Sequence, residues 1–283
     1  MNALLASLRR HRALVFDFVG RDLKARYVGS SMGFFWSLIF PIVNLFVFMF
    51  VFRLVLKARW GDASDPSYLG TGGTAETALV MLAGILAWSA FSETLSRSTN
   101  CLVENSNLIQ KIVFPSEILP PYLAVSSAVN MLVGIPIVLL GVVAFTDLGV
   151  GAPLLAVPLL LLLQVTFAVG LGWLLATLNV LVRDTYHVIG VALTVWMFAT
   201  PIFYPALMVR QGKVVVGDTW VPLGPLLELN PMHWLIDSWQ RVLVFHHWPQ
   251  WHLVARFALA ALLALVVGGA LFRDQRRRFP DLL

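Results

Sequence analysis

Six histidines and fifteen acidic residues are the groups from which a catalytic or metal centre would have to be built, and their spacing does not converge. His246, His247 and His252 have the composition of a metal site, but adjacent residues point apart on a helix and no carboxylate joins them. They fit an interfacial polar cluster. Asp237 and Arg241 are four apart and read as a pair that supports a short helix. Glu93 and Arg97 have the same spacing beside an apolar stretch, where either charge alone would be costly. Two readings stay open: they neutralise each other, or Arg97 meets an anionic substrate. Cys101 is the only cysteine, so neither an internal disulfide nor a cysteine metal cluster can form. Gly212-Lys213 is followed by a valine, and the Gly70, Gly72, Gly73 cluster lacks a following Lys-Ser/Thr, so the chain has no phosphate loop for ATP. No catalytic residue, metal ligand or cofactor-binding residue is expected in this chain.

The elements that carry these residues are apolar. Of 283 residues, 59% are hydrophobic and 12% charged, against about 45–50% and 25% in soluble domains. A bilayer core needs about 20 apolar residues per helical span. The expected fold is therefore an all-α integral membrane protein with six transmembrane helices, near residues 33–54, 78–98, 119–145, 154–182, 188–206 and 251–272. A polar loop, 57–77, follows the first span, and 147–151 make a tight connection. Residues 210–247 are mixed and interrupted by Pro222, Pro225 and Pro231, which fits two short re-entrant or interfacial helices on the outer, periplasmic side before the last span.

Residues 1–32 are expected to form an amphipathic interface helix. Leu8, Val15, Phe16, Val19, Leu23 and Tyr27 share one arc, and Arg10, Asp17, Arg21 and Lys24 the other. Arg12 and Arg26 fall on the apolar arc, which leaves two short helices or snorkelling side chains as alternatives. Charges recurring up to Arg26 do not fit a cleavable signal peptide. The transmembrane domain takes 33–272, with gate-like outer helices in 209–250, and 273–283 form a basic tail. Six spans put both termini on one side, and thirteen of the twenty Lys and Arg residues fall there, so both termini are expected in the cytoplasm. The net charge of +5 is explained by this placement and does not imply nucleic acid. Titratable groups inside the spans are nearly absent, which argues against proton coupling. Energy must come from a separate ATPase, docked on short cytoplasmic pieces such as 104–114 and 183–187.

Several motifs carry a family resemblance. RDLKARYVGSSMGFFWSLIFP at 21–41 resembles the approach to the first span in ABC-2 type permeases that export bacterial polysaccharides. NLIQKIVFPSEILP at 107–120, LNVLVRD at 178–184, PIFY at 201–204 and NPM at 230–232 reinforce it over nearly the whole chain. The resemblance implies a half-channel that forms a homodimer with two copies of a nucleotide-binding ATPase subunit, Mg-ATP being bound by that partner. The implied cargo is a polysaccharide carried on undecaprenyl pyrophosphate (O-antigen, capsule or teichoic acid), crossing the bacterial inner membrane. By the same resemblance, Asn107, Leu108, Ile109, Gln110, Lys111 and Phe114 would couple to the ATPase, with Arg183 and Asp184 as a second contact. Arg21, Lys24 and Arg26, with Arg97, would frame a cytoplasmic entrance, where cations replace the hydration a pyrophosphate loses. Positive-inside anchoring explains the same arginines.

Sugars present an apolar C–H face and a rim of hydroxyls, so a channel in which they slide should offer aromatic faces. The first and fifth spans are rich in them, and Trp36, Phe40, Phe203 and Tyr204 are the expected channel residues. Two alternatives are a small-molecule or drug exporter of the same superfamily and a membrane polyprenyl-phosphate sugar transferase. The transferase should show paired acidic residues for a divalent metal, and none is evident.

Overall fold

Long apolar stretches force the backbone to satisfy its hydrogen bonds within each segment, and the result is a helical chain. The computed structural model describes residues 2–26, 28, 35–55, 74–111, 114–146, 149, 151–216 and 219–283. The glycine-rich loop after the first span lies outside the described residues, as does most of the 147–151 connection. Near the amino terminus, α1 (Asn2–Arg10) and α2 (Arg12–Ala25) are separate helices that break at His11. Of the two alternatives, the chain takes two short helices.

Four helices among the described residues are long and apolar enough to cross a membrane, spanning Ala75–Glu104, Ser116–Phe145, Ala152–Leu181 and Trp251–Leu282. Their α-helical portions are α4 (Thr74–Glu104), α6 (Leu119–Phe145), α7 (Val157–Leu181) and α12 (Trp251–Gln275). The first and fifth expected spans are shorter apolar helices. They are α3 (Phe35–Phe48), which continues as a π-helical turn over Met49–Val55, and α8 (Thr185–Ala199). At about 1.5 Å per residue, α8 is shorter than a bilayer core. Pro41 is accommodated inside α3, whereas Pro201 lies beyond the end of α8. The chain thus belongs to the multi-pass membrane proteins.

The core is built around α4, which packs against α6, α7, α11 (Pro231–Leu243), α3 and α8. The tightest crossing joins α7 to α12. Gly170 and Gly268 face each other there, and a β-carbon on Gly170 would fall 2.4 Å from the Ala264 carbonyl carbon. Small residues let helix backbones approach where lipid supplies no hydrophobic drive for association.

The 206–243 region differs from the sequence expectation in its detail. It holds α9 (Ala206–Gln211), an antiparallel hairpin of β1 (Lys213–Val216) and β2 (Thr219–Pro222), α10 (Gly224–Glu228) and α11. The hairpin follows from the β-branched run Val214, Val215, Val216 opposite Trp220 and Val221. Helix α11 begins with Asn230 capping the Met232 amide at 3.0 Å, followed by Pro231 at the first helical position. It is buried inside the bundle, with Leu235, Ile236, Trp239, Val242 and Leu243 fully covered. Trp239 Nε1 donates to Gln164 Oε1 on α7 at 2.9 Å, and Gln164 Nε2 donates to the Ala87 carbonyl on α4 at 3.0 Å. These bonds satisfy polar groups that would otherwise be orphaned in an apolar core.

Candidate functional site

Helix α2 is held to the bundle by charge. Asp22 is the hub: it pairs with Arg26 at 3.1 Å and with Arg97 of α4, and accepts a hydrogen bond from Ser126 of α6. Arg26 also reaches Glu93 at 2.6 Å, and Arg97 reaches Glu93 at 3.4 Å. The cluster therefore contains two cations and two carboxylates. Burial alone would raise the Asp22 pKa, but hydrogen bonds from Arg97 and Ser126 and the charges of both arginines outweigh it, lowering the value to about 2. The i, i+4 pair Glu93 and Arg97 forms as its spacing indicates, and it is shared with α2. Phe18 packs on Phe114 and Tyr122, with ring centroids 5.9 and 5.2 Å away. The inward face of α2 is thus Phe18, Val19, Asp22 and Arg26, whereas Phe16, on the apolar arc, is exposed. Arg21 and Lys24 point into the surroundings, consistent with the polar arc.

Arg26 and Glu93 also line a half-open cavity of about 630 Å³ between α3, α4, α6 and α8. Trp36 and Phe40 line it from α3. From α4 come Ser89, Ser92 and Ser96 at i, i+3 and i+7, which places three hydroxyls on one helical stripe. Ser127 and Asn130 of α6 and Asn44 of α3 complete the polar lining, while Leu82, Ile85, Leu86 and Leu193 make the apolar part. The Ser92 hydroxyl donates to the Ser89 carbonyl and the Asn44 amide Nδ2 to the Phe40 carbonyl, whereas the Ser127 hydroxyl is buried with no partner.

The other two expected aromatics lie elsewhere. Phe203 stacks edge-on against Phe48 at 6.2 Å and is tilted against Phe198 at 6.1 Å. Tyr204 donates its hydroxyl to the Phe198 carbonyl at 2.5 Å and lines a second, mostly apolar cavity of about 500 Å³ between α8, α9, α10 and α11. The structure thus puts Trp36 and Phe40 in the larger cavity and Tyr204 in the second, while Phe203 packs among Phe48 and Phe198, a division their positions near span ends do not reveal.

Both chain termini share one end of the bundle with α5 (Ser106–Lys111). On α5, Asn107 and Gln110 are exposed, Leu108 is half-buried and Ile109 is buried; the side chain of Lys111 lies outside the described residues. Arg183 and Asp184 form an exposed turn between α7 and α8. That turn is linked to α4 by a polar relay: the Tyr186 amide donates to Asn179, Asn179 to Asn100 and Asn100 to Glu104, at 3.2, 3.4 and 2.9 Å. Glu104 is two residues before α5, so both expected coupling pieces sit on one connected surface.

At the opposite end Glu228 bridges Arg210 and Arg256 at 3.2 and 3.1 Å, and Asp237 pairs with Arg241 at 2.6 Å. Among the described residues no group of three His, Cys, Asp or Glu side chains is placed to hold a metal ion. Sequence reasoning passed over Asp22, Ser126, Ser127 and the serine stripe of α4. The spacing of Ser89, Ser92 and Ser96 was a readable signal; the alignment of Ser127 with them was not.

Membrane-crossing helices around a cavity of mixed apolar and polar lining, with the partly exposed α5 at the end where the termini meet, are the architecture of a membrane transport subunit. Residues 15–244 match the family of ABC-2 type transporters, and the chain belongs to that family. It is similar to the O-antigen export system permease protein RfbA of Myxococcus xanthus, 27% identical over 281 residues and 99% of both chains. The protein of the same name from Klebsiella pneumoniae is 23% identical over 270 residues and 95% of both chains.

Proposed function

We propose that this chain is the permease subunit of an ATP-driven exporter that moves an undecaprenyl-pyrophosphate-linked polysaccharide, most simply an O-antigen, across the bacterial inner membrane. The observation that carries the reading is the lining of the larger cavity. Aromatic faces at Trp36 and Phe40 match the C–H faces of sugar rings, and the hydroxyls of Ser89 and Ser96 exchange hydrogen bonds with sugar hydroxyls without fixing any one of them. The relatives' names and their coverage of almost the full chain support the same cargo class.

In this reading α3 and α8 are the first and fifth of six spans, both termini are cytoplasmic, and two copies of the chain form the channel. The outward side chains of Phe40, Phe46, Val191 and Val195 are exposed in one copy. A second copy covers part of them and closes the open side of the cavity. Helix α5 and the Arg183–Asp184 turn receive two copies of an ATPase, because this chain has no phosphate loop of its own. The pyrophosphate meets the arginine-rich mouth at α2. Arg26 lines the cavity, and its charge is cancelled there by Asp22 and Glu93. Moving α2 off α4 uncovers that charge for an anionic headgroup.

The test is deletion of the gene in its host, with the lipid-linked glycan located by fractionation. Finished glycan accumulating on the cytoplasmic leaflet, and exported again when the intact chain is restored, is the expected result. Unchanged glycan export would overturn the polysaccharide reading and favour a small-molecule cargo; absence of the glycan would indicate a synthetic role.

A further inference from the structure

The carboxylate of Glu117 is fully buried at the end of the bundle that carries α5. It belongs to the short 3-10 turn Ser116–Ile118 through which the chain leaves α5 and enters α6. One oxygen, Oε1, accepts from Ser7 of α1 at 2.5 Å and from Arg276 Nη1 at 2.9 Å. The other, Oε2, is buried without a partner, and the backbone carbonyl of Glu117 accepts from Trp173 Nε1 of α7 at 3.0 Å. A buried carboxylate is tolerated only when a cation and hydrogen bonds offset its lost hydration. Among the described residues Arg276 is the cation within ion-pair distance of it.

The residues beyond Arg276 are held as well. Phe279 is fully buried with its ring 5.2 Å from that of Phe272, and α13 (Phe279–Leu282) packs on α5. Helix α5 therefore follows directly on α4 and packs against the end of the chain, and its Ile109 is buried. Its exposed side chains Asn107 and Gln110 face away from this support. A short helix on flexible connections would absorb a push, whereas the turn that follows α5 is bonded through Glu117 to Ser7 of α1, Trp173 of α7 and Arg276, and passes it to the bundle.

We propose that Glu117 is a positioning residue which, through Arg276 and Ser7, joins both ends of the chain to α5, so that residues 276–283 form part of the ATPase-coupling apparatus. The proposal rests on the reading of α5 as the coupling segment. The half-exposed Arg276 is the member to alter, because removing it leaves the polar side chain of Glu117 in place.

The experiment uses the full-length chain, purified with its cognate ATPase, in phosphatidylethanolamine–phosphatidylglycerol vesicles. A spin label at N107C reports α5, since Cys101 is buried and does not compete for the reagent. ATPase retained on the tagged permease and ATP hydrolysis by the complex are read in parallel without the label. In R276Q the label is expected to become more mobile and the retained ATPase to fall by about tenfold, with R276K restoring both. If the intact chain holds its ATPase but R276Q changes neither readout, the positioning role is overturned while the exporter reading stands. A mobile label with ATPase binding and hydrolysis unchanged overturns the coupling role. Failure of the intact chain to hold any ATPase overturns the exporter reading itself, and the coupling role with it.

Discussion

The backbones of Gly170 and Gly268 meet so closely that a β-carbon built on Gly268 would lie 1.9 Å from the Gly170 carbonyl oxygen. No rotamer change relieves such a contact, because the obstacle is backbone. Gly268→Ala must separate α7 from α12, and overpacking of this kind costs about 1–3 kcal/mol. Thermal unfolding in detergent should show a lowered midpoint for Gly268→Ala, and an unchanged midpoint would mean the crossing is looser than described. Gly20, with nothing within 4 Å of its built β-carbon, is the control position.

The cluster that joins α2 to α4 has a pH signature. Asp22 has a folded-state pKa lowered to about 2 from an ordinary 3.8, so its stabilising contribution is complete above the ordinary value and is lost as pH falls through the lowered one. Asp22→Asn should therefore be less stable than the parent by a constant margin between about pH 5 and 8, with the two converging only in strong acid. A margin that shrinks near neutral pH would contradict the assignment.

Removing one member of the same cluster leaves the others unbalanced. Glu93→Gln strips both arginines of one carboxylate, and for a half-buried network the loss lies at about 1–3 kcal/mol, between exposed and fully buried pairs. Limited proteolysis should cut the amino-terminal helices sooner in this variant. Equal cutting rates would show that α2 is held by Phe18 and Val19 alone.

Trp239 and Gln164 form a buried donor–acceptor pair at 2.9 Å. Trp239→Phe keeps most of the ring and deletes the donor, leaving Gln164 Oε1 short of a partner at about 1–3 kcal/mol. Urea or thermal unfolding measures it. If the variant matches the parent, another donor has replaced the indole.

In the larger cavity, Trp36→Ala removes an aromatic face without touching the charge cluster. Loss of one such contact is worth about 0.5–1.5 kcal/mol, so a glycan export rate lowered by roughly two- to tenfold is expected at unchanged protein level. Ser89→Leu, which projects an apolar side chain into the cavity in place of a hydroxyl, should lower it further. Parent-like export in both variants would place the cargo path outside this cavity.

The hydropathy of the chain is enough to locate the helices, because an apolar run of sufficient length has no other way to satisfy its backbone in a membrane. Four of the expected spans are helices long enough to cross, and α3 and α8 lie where the first and fifth were expected. Periodicity also made Glu93 and Arg97 a pair, since i, i+4 neighbours meet on any helix. The capping of α11 was equally local, with Asn230 and Pro231 marking its start.

Relations between helices were not legible in this way. Asp22 and Arg97 are 75 positions apart, and no local pattern tells which acid of α2 faces which base of α4. The same holds for Glu117 and Arg276, 159 positions apart. Phe16 and Phe18 are equally apolar, yet only the contact with Phe114 and Tyr122 selects Phe18 for the inside. Likewise Trp36 and Tyr204 read alike as aromatic residues near span ends, and they line different cavities, that of Tyr204 closing where Trp196 and Ala199 of α8 bond to Asn230. By itself the sequence determined what is short-range: helix placement, the pairing of i, i+4 neighbours and the lack of a nucleotide loop. The rotation of each helix about its own axis was decided by tertiary structure alone, because it minimises unpaired charge and void over all neighbours at once. That rotation sets which serines meet in a cavity and which carboxylate closes on an arginine.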